Sequence, residues 1–173
     1  EKIRDLMKPG AALIDVSRNV DGLIEEEGHE GHGHGANPHI FASPSMMAQM
    51  AVSLAAQLAE TDRENAALYE AGGKRASAAF SEMAEECAAA GERLGHKGVV
   101  TQHDIFGYLV RDMGLRVDGL IQPHEGQEPS AREMLDLVRL IRGKGTAAVV
   151  TEPQYPARTG QTLAEETGVP CIE

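Results

Sequence analysis

From residue 95 onward the chain alternates short apolar runs with amphipathic stretches. Runs at 98–101, 117–121, 147–151 and 169–172 predict strands, and the stretches 104–113, 131–142 and 159–167 carry the three-to-four-residue spacing of helices. Gly114 closes the first of these helices. Ser130-Ala131-Arg132-Glu133 opens the second as a capping box, in which Ser and Glu each satisfy a free amide of the other, and Gly143 ends it. The order β-α-β-α-β-α-β predicts an open, largely parallel sheet with helices on its faces. Ligands of such sheets bind beyond the carboxyl ends of the strands.

The first half reads differently. Residues 1–24 predict a short helix, the turn Lys8-Pro9-Gly10 and a buried strand at 11–16, followed by a Gly/His/Glu loop without periodicity. Ser43-Pro44 then starts a helix, Ser as N-cap and Pro at its first position. Met47, Met50, Leu54 and Leu58 follow at helical spacing and read as core rather than as ligands. Thr61-Asp62-Arg63-Glu64 is a second capping box and opens a helix reaching about residue 94. At 1.5 Å per residue it would measure roughly 50 Å, more than one small domain needs, so it predicts a bridge between two lobes. Gly72-Gly73 weakens it by about 1 kcal/mol per glycine relative to alanine and allows a bend.

Net charge narrows the partners. At −11 over 173 residues, the chain lacks the Lys/Arg clusters of a nucleic-acid or anionic-membrane surface. No apolar run approaches the roughly 20 residues of a membrane span. Glu1-Lys2-Ile3-Arg4 opens as if inside a helix, with no signal peptide in this stretch. Cys87 and Cys171 lie far apart without CxxC spacing, which leaves one disulfide or two inert buried thiols, the thiols being the favoured reading.

The candidate chemistry lies in the histidines. His39 stands between Pro38 and the apolar pair Ile40-Phe41, just after the string His29, His32, His34. Imidazole is the commonest protein ligand for first-row metals, although a His-rich tract alone is a weak, compositional signal. His103 falls just past the end of a predicted strand and Glu152 just past another, both suited to a cleft. For Glu152 a hydrogen-bonding role is favoured over direct ligation. His96 and His124 read as surface residues. His-Glu-x-x-His is absent and Glu165-Glu166 occupies an ordinary helix surface, so a zinc-dependent hydrolase is disfavoured.

Asn37-Pro38-His39-Ile40-Phe41-Ala42-Ser43-Pro44 resembles the Asp-Pro-His-hydrophobic-aromatic motif of the metal-binding substrate-binding proteins of ABC importers for zinc and manganese. The resemblance continues through Arg63-Glu64-Asn65-Ala66-Ala67-Leu68-Tyr69, His103-Asp104-Ile105-Phe106-Gly107-Tyr108-Leu109 and Glu128-Pro129-Ser130-Ala131. It ends with Thr151-Glu152-Pro153-Gln154-Tyr155 and Leu163-Ala164-Glu165-Glu166-Thr167-Gly168, in the family's order and spacing. It implies an α/β fold of two lobes with parallel sheets, joined by the long helix, with metal held between them. Residues 1–43, including the His-rich loop 25–36, would form the C-terminal part of the first lobe. Residues 44–95 would hold the helices, including the bridge, and 96–173 most of the second lobe.

By the same resemblance, His39 and His103 match two metal ligands. Imidazole at 103 favours zinc, with manganese or iron behind it. His29, His32 and His34 become auxiliary, weak metal sites. Asn37 stands where the family usually has Asp, which would weaken the orientation of His39. The chain looks like a fragment lacking the start of the first lobe and the end of the second, with further ligands outside it. The function implied is capture of zinc in the periplasm or elsewhere outside the cytoplasmic membrane, with lipid anchoring left open by the sequence. Delivery would be to an ABC permease, with no catalysis, and the complete protein would be a monomer. A zinc-storage or adhesion protein on the same fold is the alternative.

Overall fold

The structure, a computed structural model, describes residues 4–25, 35–95, 97–123 and 127–173. Helices α1 (Pro44–Thr61) and α2 (Ala66–Arg93) come first, joined by a 3-10 turn at Arg63–Asn65. There follow β1 (Gly98–Thr101), α3 (Gly107–Asp112), β2 (Arg116–Leu120), α4 (Ala131–Lys144), β3 (Ala148–Val150), α5 (Arg158–Thr167) and β4 (Cys171–Ile172). The four strands are parallel, in the order β2-β1-β3-β4. The chain leaves β1 for β2 on one side and returns to β3 on the other, so the order reverses between β1 and β3. That reversal opens the crevice in which doubly wound sheets bind ligands.

Val100, Ile121 and Val149 pack with Leu137 and Ile141 of α4 and Leu163 of α5, forming the core of the sheet unit. A second cluster, Val20, Ile40, Met46 and Tyr108 with Ile24 and Met50 beside it, fastens the N-terminal segment and α1 to α3. Ser43 and Ser45 at the start of α1 strengthen that junction, because both hydroxyls donate to the Asp112 carboxylate, at 2.6 and 2.5 Å. The amide of Ser45 adds a bond of 3.0 Å, so a carboxylate sits at the positive end of α1.

Helix α2 spans 28 residues, about 42 Å at 1.5 Å each, and runs through Gly72-Gly73 without interruption. Gly73 serves close approach: a Cβ there would lie 2.4 Å from Ala55 Cβ and 3.1 Å from the Ala51 carbonyl oxygen. Near its other end α2 meets the sheet unit at Gly91, where a Cβ would fall 1.5 Å from the Met113 carbonyl oxygen. No helix among the described residues is long and apolar enough to cross a membrane.

Several expectations need correction. Residues 11–16 form no strand and are mostly exposed. A polar row on α1 holds the stretch that follows. Gln57 bonds both the amide and the carbonyl of Asp15, Ser53 donates to the Arg18 carbonyl, and Gln49 Oε1 accepts from the Asp21 amide. These three residues recur every fourth position of α1, so side chains do the work of a neighbouring strand. On α1 the fully buried methionine is Met46, not Met47, and Leu54 is partly exposed. Thr61 belongs to α1 and donates back to the Gln57 carbonyl, whereas Asp62 caps the next turn by accepting from the Asn65 amide. α3 begins at Gly107 rather than 104, and α4 runs to Lys144, ending on Gly145 with φ of 65°. Both cysteines are free.

Candidate functional site

His39 opens a 3-10 turn, His39–Ala42, directly before α1, and Ile40 anchors that turn in the core. His103 follows β1 by two residues, at the reversal point of the sheet, and Glu152 follows β3 by two residues on the neighbouring strand. The two imidazoles meet edge to face with ring centroids 5.3 Å apart. Phe41 flanks His39 at 6.0 Å, and Tyr155 flanks His103 at 5.5 Å.

Each imidazole is held through its Nδ1. His103 Nδ1 lies 2.5 Å from Glu152 Oε1, and both side chains are almost fully buried. A carboxylate only accepts, so Nδ1 carries the proton and, in the neutral ring, Nε2 keeps its lone pair. The other oxygen of Glu152 accepts from Gln154 Nε2 at 2.5 Å, which fixes the carboxylate in turn. His39 Nδ1 lies 3.0 Å from Asn37 Oδ1, and the same oxygen accepts the His39 backbone amide at 2.9 Å. The Asn37 amide nitrogen therefore faces the other way, donating to the carboxylate of Asp104 at 2.7 Å and to its carbonyl at 3.0 Å. The support for His39 that the absence of Asp at 37 was expected to remove is supplied by the amide of Asn37. Both rings thus present Nε2, the arrangement of a metal-binding histidine held by a second hydrogen bond.

Two imidazoles do not close a tetrahedral zinc shell. Among the described residues no group of three or more His, Cys, Asp or Glu side chains gathers to hold one ion. His29, His32, His34, His96 and His124 lie outside the described residues. The two ends of the His-rich loop are tied together, however. Glu25 and Ala36 form an antiparallel bridge, and the Asn37 amide donates to the Ile24 carbonyl at 2.7 Å. Tyr108 reinforces this closure, accepting from the Ile24 amide and donating to the Asn37 carbonyl. Sequence reading missed Asn37, Asp104 and Tyr108 as one network. Only the adjacency of Asp104 to His103 hinted at it.

Fold and site together define an open-sheet α/β protein with an imidazole pair at its binding crevice. The chain belongs to the family described as zinc-uptake complex component A, periplasmic (ZnuA), whose model matches residues 1–173. The high-affinity zinc uptake system protein ZnuA of Bacillus subtilis (strain 168) is 28% identical over 167 residues, covering 91% of this chain and 52% of that protein. A crystal structure of ZnuA superposes with a TM-score of 0.77 at 27% identity, covering 92% of this chain and 59% of that one. A zinc-bound ZnuA from which residues 138–173 of that protein were deleted matches with a TM-score of 0.75 at 27% identity, over 92% of this chain and 59% of that one. The chain spans about half the length of the Bacillus relative.

Proposed function

We propose that this chain is the part of an extracytoplasmic binding protein that captures zinc between His39 and His103 and passes it to the permease of an ABC importer. The observation that carries the reading is the imidazole pair, 5.3 Å apart, with both Nδ1 atoms engaged and both Nε2 atoms left for an ion. Zinc takes imidazole nitrogens at about 2.0–2.1 Å, and a pair this close can share one ion. Residues 1–43 would belong to one lobe and 96–173 to the other, with α2 as the bridge. Glu152 acts as support for His103 rather than as a ligand, and the loop histidines His29, His32 and His34 collect ions weakly. Manganese and iron fit an all-nitrogen pair less well than zinc does. The family's description as a periplasmic uptake component supports a site outside the cytoplasmic membrane.

The reading requires no covalent chemistry. A long bridging helix restrains wide hinge opening, so release proceeds through small shifts and loop rearrangement. Calorimetric zinc titration of His39→Ala and His103→Ala in the intact protein tests it. Each is expected to lose at least about tenfold in affinity, or roughly 1.4 kcal/mol. Wild-type affinity in both would overturn the assignment.

A further inference from the structure

Asn37 is 1% exposed, and every polar group it owns is engaged. Its backbone closes the base of the His-rich loop through Ile24 and Tyr108. Its side chain faces two ways, toward His39 through Oδ1 and toward Asp104 through Nδ2, across 67 residues of sequence. Asp104 is the immediate neighbour of His103. One amide therefore joins the two histidine-bearing loops.

We propose that Asn37 is a positioning residue that locks the loops of His39 and His103 into one unit and sets the tautomer of His39. It needs both functions of an amide, an acceptor for His39 Nδ1 and a donor for the Asp104 carboxylate. A carboxylate at 37 would serve the first and oppose the second, because its free oxygen would face the Asp104 oxygen from a position now 2.7 Å away. An apolar side chain would serve neither and would leave Asp104 without this donor. The consequence for zinc rests on the proposed function. The consequence for the tautomer does not.

Two measurements on the intact protein test this. In the metal-free protein, nitrogen-15 imidazole shifts should report His39 protonated at Nδ1, and Asn37→Ala should move it toward the Nε2-protonated form. In zinc titrations, Asn37→Ala should weaken binding about 10- to 100-fold, the usual effect of losing such a support. Asn37→Asp should weaken it about tenfold or more, and adding Asp104→Asn should restore it to within about threefold of wild type, because the amide and carboxylate are then exchanged. A merely structural role would leave the His39 tautomer of the metal-free protein unchanged. An unchanged His39 tautomer in Asn37→Ala, wild-type zinc affinity in Asn37→Asp, or deficits that simply add in the double variant would each overturn the proposal. Should Asn37→Ala fail to fold, the exchange pair decides. If His39→Ala and His103→Ala bind zinc normally, the zinc reading falls, while the metal-free tautomer still judges the clamp.

Discussion

His103 and Glu152 are joined end to end across the reversal point of the sheet, Nδ1 to Oε1 at 2.5 Å, by residues that each follow a strand by two positions. The strand order places them there. β1 and β3 are neighbours although 46 residues separate Thr101 from Ala148, so their carboxyl ends share one crevice. A buried carboxylate behind an imidazole fixes its ring orientation and tautomer. Glu152→Gln keeps the shape and removes the charge. Its zinc affinity should fall about tenfold or more with little loss of melting temperature, as measured by calorimetry and by thermal unfolding.

Removing residues 28–35 should leave the tight site nearly intact and lower the number of weakly bound ions. His39 and His103 stand on a 3-10 turn and a strand end that are anchored in the core, so their geometry is set without residues 28–35. Zinc stoichiometry and affinity by equilibrium dialysis check this. A tight-site loss equal to that of His103→Ala would contradict it.

Two adjacent glycines of α2 should respond with opposite signs. At Gly72 an added Cβ meets only the far end of Arg75 at 4.0 Å, so Gly72→Ala should stabilise by about 0.5–1 kcal/mol through helix propensity. At Gly73 the same methyl collides with Ala55 and should cost about 1–3 kcal/mol. Urea unfolding of the two variants side by side gives both values.

Met46 is fully buried in the cluster that joins α1 to α3, while Met83 is 49% exposed. Met46→Ala should cost about 2–5 kcal/mol. Met83→Ala should stay within about 0.5 kcal/mol, and chemical denaturation separates them.

Asp62 should give the chain an acid-sensitive increment of stability. The side-chain amide of Asn65 and the Tyr69 hydroxyl, both donating to it, hold its carboxyl below the ordinary aspartate range. A group whose pKa is depressed on folding contributes above its unfolded pKa, and the contribution disappears as pH falls through the folded value. Asp62→Asn should therefore be less stable than wild type at neutral pH, and the gap should close in strong acid. Urea midpoints measured from pH 7 down to pH 2 follow it.

The alternation after residue 95 was legible because each element carries local marks. The Ser130–Glu133 box forms as expected, Gly168 ends α5, and His103 and Glu152 lie where strand ends imply. Of the two histidines of the candidate site, His103 was marked by its strand end and His39 by the motif through which the sequence resembles the family. What escaped depends on distant partners. Asn37 and Asp104 are neighbours only in space, and the stretch after residue 11 is organised by Gln49, Ser53 and Gln57, whose roles no apolar period announces. The shift from Met47 to Met46 is a choice of helix phase, decided by which side of α1 meets Tyr108 and Val20.

The seam between Gly91 and the Met113 carbonyl is backbone against backbone, with no side-chain layer between. Contacts cushioned by methyl groups can slide a few tenths of an ångström by rotamer adjustment, but this one has no such play. It closes a ring running from His39 through α1 and α2 to Met113, then back along α3 to His103. The spacing of the imidazoles is thereby gauged by the skeleton of the protein. In the proposed site, adjustment to an ion of another size would fall to the short turns at 37–43 and 102–106, because the ring around them is closed backbone to backbone.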